Sequence, residues 1–181
     1  MDVLNYKTLN KSRMKILCLC LLVLSLTACS HTYYIVRHAE KAAPNSAMTT
    51  DVPLSDAGKA RATALKEELR DRKIRQIFST NTTRTKSTAE PLREALGLTI
   101  TQYGPAPDSA FIRQLKQIKS NVLIVGHSNT VDDIVNGLTN RQTIPGDIDD
   151  AAYDNLFVVK YKKFFGTKIS FSNKKYGKPS N

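Results

Sequence analysis

Two of the three histidines in the chain lie in motifs suited to phosphate chemistry: His38 in Arg37-His38-Ala39-Glu40-Lys41 and His127 in Gly126-His127-Ser128-Asn129-Thr130. A further arginine, Arg84, falls between them in sequence. A phosphomonoester dianion repels nucleophiles, so its transfer needs an uncharged attacking atom and cations that disperse charge on the phosphoryl oxygens. Neutral imidazole suits the first role, and arginine, whose planar donors match two oxygens and keep their charge, suits the second. His38 is therefore the candidate nucleophile, and Arg37 and Arg84 are candidate phosphate ligands. His127 can donate to the same oxygens as charge builds in the transition state. Backbone NH groups at the start of the helix after Gly126 add to that field. His31, beside Cys29, stays outside the set.

These residues act together only if the fold brings them together. Apolar periodicity predicts strands over 33–36, 74–79, 99–103 and 121–125. Helices are predicted between them: one capped by Ser55 and running to about Asp71, one over 82–96 ended by Gly97, and one over 109–119 burying Phe111, Ile112, Leu115 and Ile118. Pro91 lacks an NH donor and predicts a kink or break in the second of these. A fourth helix carries Val131, Ile134, Val135 and Leu138, with Ser128 and Asn129 as its cap. After a polar loop over 139–150, segments 155–161 and 168–172 read as a hairpin at a sheet edge. The alternation predicts one α/β domain of three layers, α/β/α, with a mostly parallel central sheet and an antiparallel C-terminal hairpin. Ligands of such sheets bind beyond the carboxyl ends of the strands. Arg37-His38, Arg84 and Gly126-His127 each follow a predicted strand.

With 181 residues, 41% of them hydrophobic and 24% charged, the chain has material for one core. A formal charge of +11 implies an anionic substrate or surface. Nucleic acid is not the expected partner, because the aromatic share is 7% and the lysines are dispersed rather than interleaved with aromatics. No cofactor is expected, since histidines are few and the cysteine spacings do not suit zinc. Gly126-His127-Ser128-Asn129 does not match the Gly-x-Ser-x-Gly elbow of serine hydrolases.

The N-terminal segment reads as a leader. Lys7, Lys11, Arg13 and Lys15 precede an uncharged run from Ile16 to Ala28, the layout of a signal peptide. As a helix that run spans about 20 Å, short of the roughly 30 Å hydrocarbon core of a bilayer. Leu26-Thr27-Ala28-Cys29 resembles a bacterial lipobox, in which the cysteine is acylated and becomes the new N-terminus. Cys18 and Cys20 leave with the leader, so Cys29 is the one cysteine of the mature chain. Residues 1–28 are thus expected to be a lipoprotein signal peptide, with Met14 as an alternative start, and 29–181 the functional domain. The acylated protein would be held on a membrane of the bacterial cell envelope, at the outer membrane or the periplasmic face. The lysines from Lys160 to Lys163 and at Lys174-Lys175 either face anionic headgroups or form a solvated hairpin.

Four blocks carry a family resemblance. Arg37-His38-Ala39-Glu40, Leu54 to Ala62, Ser79 to Ala89 and Gly126 to Thr130 resemble, in order, the motifs of the histidine phosphatase superfamily, also called phosphoglycerate mutase-like. One extra residue separates Ser79 from Arg84. The resemblance implies a phosphoglycerate mutase-like fold and a phosphohistidine on His38 that water then hydrolyses. Arg37, Arg84 and His127 would complete the phosphate pocket. Many members use a carboxylic acid to protonate the leaving oxygen. Here Asp108, after the third strand, is the first choice and Glu40 the second, while Asp108 reads equally as a helix cap. The implied activity is hydrolysis of a phosphoric monoester or phosphoramidate, borne by a small molecule or a phosphoprotein. A phosphotransferase of the mutase type and a non-catalytic phosphate- or lipopolysaccharide-binding lipoprotein are the alternatives.

Overall fold

In the computed structural model, which describes residues 29–43, 51–163 and 165–180, six strands form one sheet in the order β3-β2-β4-β1-β5-β6. They are β1 (Cys29–Arg37), β2 (Ile74–Thr80), β3 (Ile100–Tyr103), β4 (Asn121–Gly126), β5 (Asn155–Lys163) and β6 (Thr167–Lys175). The first four are mutually parallel, and β5 and β6 run antiparallel to them as a hairpin that ends the sheet. This is the expected three-layer α/β/α sheet. The expected signal peptide over 1–28 lies outside the described residues.

Alternation along the central strands sends side chains to two cores. On one face α1 (Asp56–Leu69) and α2 (Thr83–Leu96) pack Leu65, Leu69, Ala89 and Leu92 over Val36, Ile77, Leu123 and Val125. On the other, α3 (Ser109–Gln117) and α4 (Val131–Thr139) pack Phe111, Leu115, Ile134 and Leu138 over Tyr33, Ile35, Phe78 and Ile124. Strands buried on both faces read as continuous apolar runs, as Val122 to Val125 does.

Local chemistry sets most boundaries. Ser55 caps α1, its hydroxyl accepting from Gly58 N at 3.1 Å, and Gly97 ends α2 in the left-handed region at φ 63°. Three expectations change. α2 continues through Pro91, since Thr88, Ala89 and Leu92 bury on either side of it and outweigh one lost hydrogen bond. α4 is preceded by Thr130 rather than by Ser128 or Asn129, and the Thr130 hydroxyl accepts from His127 N at 3.0 Å. β1 starts at Cys29 instead of Tyr33, because β5 extends to Lys163 and pairs with it.

Candidate active site

The order β2-β4-β1 puts three strand ends side by side, and each supplies part of one pocket. β1 ends at Arg37 and delivers His38, β4 ends at Gly126 and delivers His127, and β2 leads through Thr80 into the first turn of α2, which holds Arg84. His38 N donates to Gly126 O at 2.9 Å, which locks the two histidine-bearing turns together. The His38 and His127 ring centroids lie 5.4 Å apart. Arg84 Nη2 stands 3.4 Å from His127 Nδ1. His38, His127 and Arg84 therefore meet, and Arg37, next to His38 in the chain, pairs its guanidinium with Asp150 and Tyr153.

His38 is 4% exposed, and its Nδ1 lies 2.8 Å from the Ala39 carbonyl oxygen. A carbonyl can only accept, so Nδ1 carries the proton and Nε2 keeps its lone pair. Burial pushes the imidazole pKa down to about 3, with the Arg37, Arg84 and His127 charges adding to the effect. The ring is neutral across the physiological range. Ala39 N, held by Thr88 Oγ1 at 2.9 Å, fixes the turn from the α2 side.

His127 is set by a chain of hydroxyls. Thr85 Oγ1 donates to the carbonyls of Thr80 and Thr82, so it accepts from Thr80 Oγ1 at 3.0 Å. The Thr80 hydroxyl, its proton committed, accepts from His127 Nε2 at 2.8 Å. This leaves Nδ1 toward Arg84. Burial, with the Arg84 and Arg37 charges, pushes the His127 pKa down to about 4. A dianion entering between the arginines reverses that charge effect and lets Nδ1 take a proton and donate.

Arg37 is 4% exposed and has charged and aromatic company that the sequence did not disclose. Asp150 Oδ1 lies 2.8 Å from Nη2, Asp149 O lies 3.1 Å from Nη1, and the Tyr153 ring lies 4.2 Å beneath the guanidinium. Arg37 Nε is buried without a partner among the described residues, a donor free for an anion. A hydrogen bond from Ser128 and the Arg37 charge hold the exposed Asp150 carboxyl below its usual range. On the Arg84 side, Asp51 Oδ1 is 3.7 Å from Nη1. Asp51, Asp150 and Tyr153 sit in loops with no periodic signal, and proximity after folding is their sole mark.

Both expected proton donors have structural partners. Glu40 is a correction: Arg61 Nε is 2.9 Å from both its carboxylate oxygens and Arg61 Nη2 is 2.6 Å from Oε1, while Arg61 Nη1 donates to Tyr176 O. Burial raises the Glu40 pKa, but the Arg61 hydrogen bonds and charge outweigh it and hold the acid ionised. Glu40 thus fastens the His38 turn to α1. Asp108 takes its alternative reading as a helix cap. It is exposed and caps α3, accepting from Phe111 N at 2.7 Å. Its preceding strand, β3, lies three strands from β1, about 14 Å at strand spacing. Beside the pocket, a cavity of about 460 Å³ opens between Glu40, Arg61, Tyr153 and Lys178. Among the described residues no three His, Cys, Asp or Glu side chains cluster as metal ligands.

Residues 33–104, which run from β1 past β3 and include His38 and Arg84, match the histidine phosphatase superfamily (branch 1). No curated protein sequence matches the chain. Among solved structures, the fold is similar to a protein assigned as the phosphohistidine phosphatase SixA of Agrobacterium tumefaciens, with TM-score 0.56, 20% identity, and coverage of 76% of this chain and 96% of that one. It is also similar to a mycobacterial glucosyl-3-phosphoglycerate phosphatase (TM-score 0.57, 14% identity, 82% and 100% covered) and to YhfR of Bacillus stearothermophilus (0.54, 14%, 77% and 95%). Residues 33–104 thus carry the sequence pattern of the histidine phosphatase superfamily, and the sheet as a whole has the fold of these solved structures.

Proposed function

We propose that the protein is a phosphatase that works through a phosphohistidine on His38 and is held on the bacterial envelope through acyl chains on Cys29. The observation that carries the catalytic half is the His38 Nδ1 hydrogen bond to Ala39 O, which leaves Nε2 of the buried ring unprotonated beside the buried Arg37 and the half-buried Arg84 and His127. Nε2 attacks phosphorus, and the bond from phosphorus to the leaving oxygen breaks in line with it. Arg37, Arg84 and a protonated His127 hold the phosphoryl oxygens meanwhile. The ring, now substituted on Nε2 and protonated on Nδ1, carries positive charge that the Ala39 carbonyl offsets. Asp150 gives the leaving oxygen its proton. When phosphate takes over the Arg37 donors, this carboxyl loses its cation and gains a neighbouring dianion, and both changes raise its pKa. Water then attacks phosphorus, its proton passes to Asp150, the P–N bond breaks, and inorganic phosphate leaves.

The anchoring half draws on the lipobox and on β1 beginning at Cys29 itself, so that no linker separates the acylated residue from the sheet. The substrate is a phosphorylated small molecule or phosphoprotein. Incubation with p-nitrophenyl phosphate and with phosphoramidate, in EDTA, tests the chemistry: turnover is expected in the wild type and absent in His38→Ala. Unchanged turnover in that variant refutes the nucleophile, and no turnover by the wild type on either substrate favours a phosphate- or lipopolysaccharide-binding protein. Mass spectrometry of membrane-extracted protein should find Cys29 acylated, and a free thiol there refutes the anchor.

A further inference from the structure

The two ends of β1 carry opposite duties. Cys29 opens the strand and Arg37 closes it, and His38 follows directly. Nine residues of extended chain separate them by about 26 Å. Because β5 and β6 are antiparallel, their turn comes back to the Cys29 end: Cys29 pairs with Lys163, Lys163 with Thr167, and Lys162 with Lys168. That turn exposes Phe165, 93% accessible, between the exposed Lys162, Lys163 and Lys168. The loops that enter β2 and β4 arrive at the same end and expose Lys73 and Lys119. The acids there, Glu67, Asp71 and Glu68, are engaged by Arg70 and Arg72. At the pocket end the exposed loop residues include Asp51, Asp108, Asp149 and Asp150 beside Lys41 and Lys178, so the apolar ring flanked by lysines is confined to the Cys29 end.

We propose that the sheet end formed by Cys29, the β5–β6 turn and the Lys73 and Lys119 loops is a docking surface for an anionic bilayer, and that the pocket consequently opens away from that bilayer and takes water-soluble phosphorylated substrates. This rests on the anchored-phosphatase reading above. Lysines and an aromatic ring flanking an acylated residue are what an anionic interface attracts, the ring to the headgroup boundary and the charges to the lipid phosphates. The polar layer of a bilayer is roughly 5–8 Å deep on each side, so a pocket about 26 Å above the acylated end stands clear of it. Phosphates borne by lipids of the same membrane are out of reach, and soluble esters or phosphoproteins are not.

Acylated protein extracted from membranes, reconstituted in vesicles of phosphatidylethanolamine and phosphatidylglycerol at 7:3, tests both parts. Phe165→Cys and Asp56→Cys, at opposite ends of the sheet, each give the mature chain one reactive thiol for an environment-sensitive dye. The dye at 165 is expected to shift to the blue and be quenched by a spin label on the lipid headgroup, and the dye at 56 to stay unquenched. Replacing Lys162, Lys163 and Lys168 together with Glu should abolish the quenching at 165 with p-nitrophenyl phosphate turnover unchanged. Equal quenching at both sites, or quenching at 165 that survives the triple replacement, overturns the docking surface. Water-soluble short-chain phosphatidic acid should be hydrolysed at least 100-fold faster than long-chain phosphatidic acid embedded in the vesicles, and equal rates overturn the substrate class. Should the phosphatase reading itself fail, p-nitrophenyl phosphate turnover is absent even without vesicles, and the dyes still report the orientation.

Discussion

Acidification should destabilise this protein through the same two histidines that are assigned the chemistry. In the unfolded chain an imidazole titrates near pH 6.5, whereas burial holds His38 at about 3 and His127 at about 4 in the folded state. Between these values the unfolded chain binds protons that the folded chain refuses, so stability is fully present above pH 6.5 and is lost as pH falls toward the folded values. From pH 7 to pH 5 each histidine contributes ~2 kcal/mol to that loss. Urea denaturation at the two pH values and equal ionic strength measures it. In His38→Gln, and separately in His127→Gln, the drop between pH 7 and pH 5 should be ~2 kcal/mol smaller than in the wild type. An equal drop in wild type and His38→Gln refutes the burial account of the neutral nucleophile, whatever the variant does to stability at pH 7. Activity supplies a second check. The acid limb of kcat/KM reports the free enzyme and should lie below pH 5, far from the ordinary histidine value.

Removing a pocket cation should cost far more in rate than in fold: Arg84→Ala is expected to lower kcat/KM by about 100- to 1000-fold on p-nitrophenyl phosphate, with the circular dichroism melt as control. Asp150→Asn takes away both the ion pair on Arg37 and the assigned proton donor. It should tighten inhibition by inorganic phosphate while lowering kcat more on an alkyl phosphate than on p-nitrophenyl phosphate, whose leaving group needs no acid. Equal losses on both esters would dismiss Asp150 from proton transfer. Gly58→Ala should destabilise by about 1–3 kcal/mol in urea denaturation, because a Cβ there would stand 2.1 Å from the Glu40 carbonyl oxygen, with backbone rather than a flexible side chain in the way.

What the sequence disclosed and what it hid divide along a physical line. Strands and helices with strong apolar periodicity, such as Val122 to Val125 and the Leu65 and Leu69 face of α1, were legible because their burial pattern is local. Ser55 and Gly97 were legible as caps for the same reason. The extension of β1 to Cys29 was not, since Cys29 to Thr32 become a strand through pairing with Lys160 to Lys163, about 130 residues away. Pro91 misled in the opposite direction. A local rule allowed a kink or a break there, and packing of Ala89 and Leu92 rules out the break.

The site follows the same division, and the division says something about how such a pocket is built. His38, Arg84 and His127 could be found from sequence because each hangs from a strand end, and a parallel sheet brings neighbouring carboxyl ends together whatever its loops do. Proton donors have no such constraint. The residue that transfers a proton must meet the leaving group, not the phosphate, and so belongs to loops that vary with the substrate. Glu40 and Asp108 looked suitable by position along the chain, yet one is committed to Arg61 and the other to a helix cap. Asp150 reaches Arg37 from a segment 113 residues further along, by way of a turn in which Ile148 N donates to Ser128 O at 2.8 Å. That bond ties the Asp150 loop to the turn carrying His127. Under the proposed mechanism, an incoming phosphate that displaces Asp150 from Arg37 would therefore act on the second histidine's turn as well, coupling the acid to the cations through that bond.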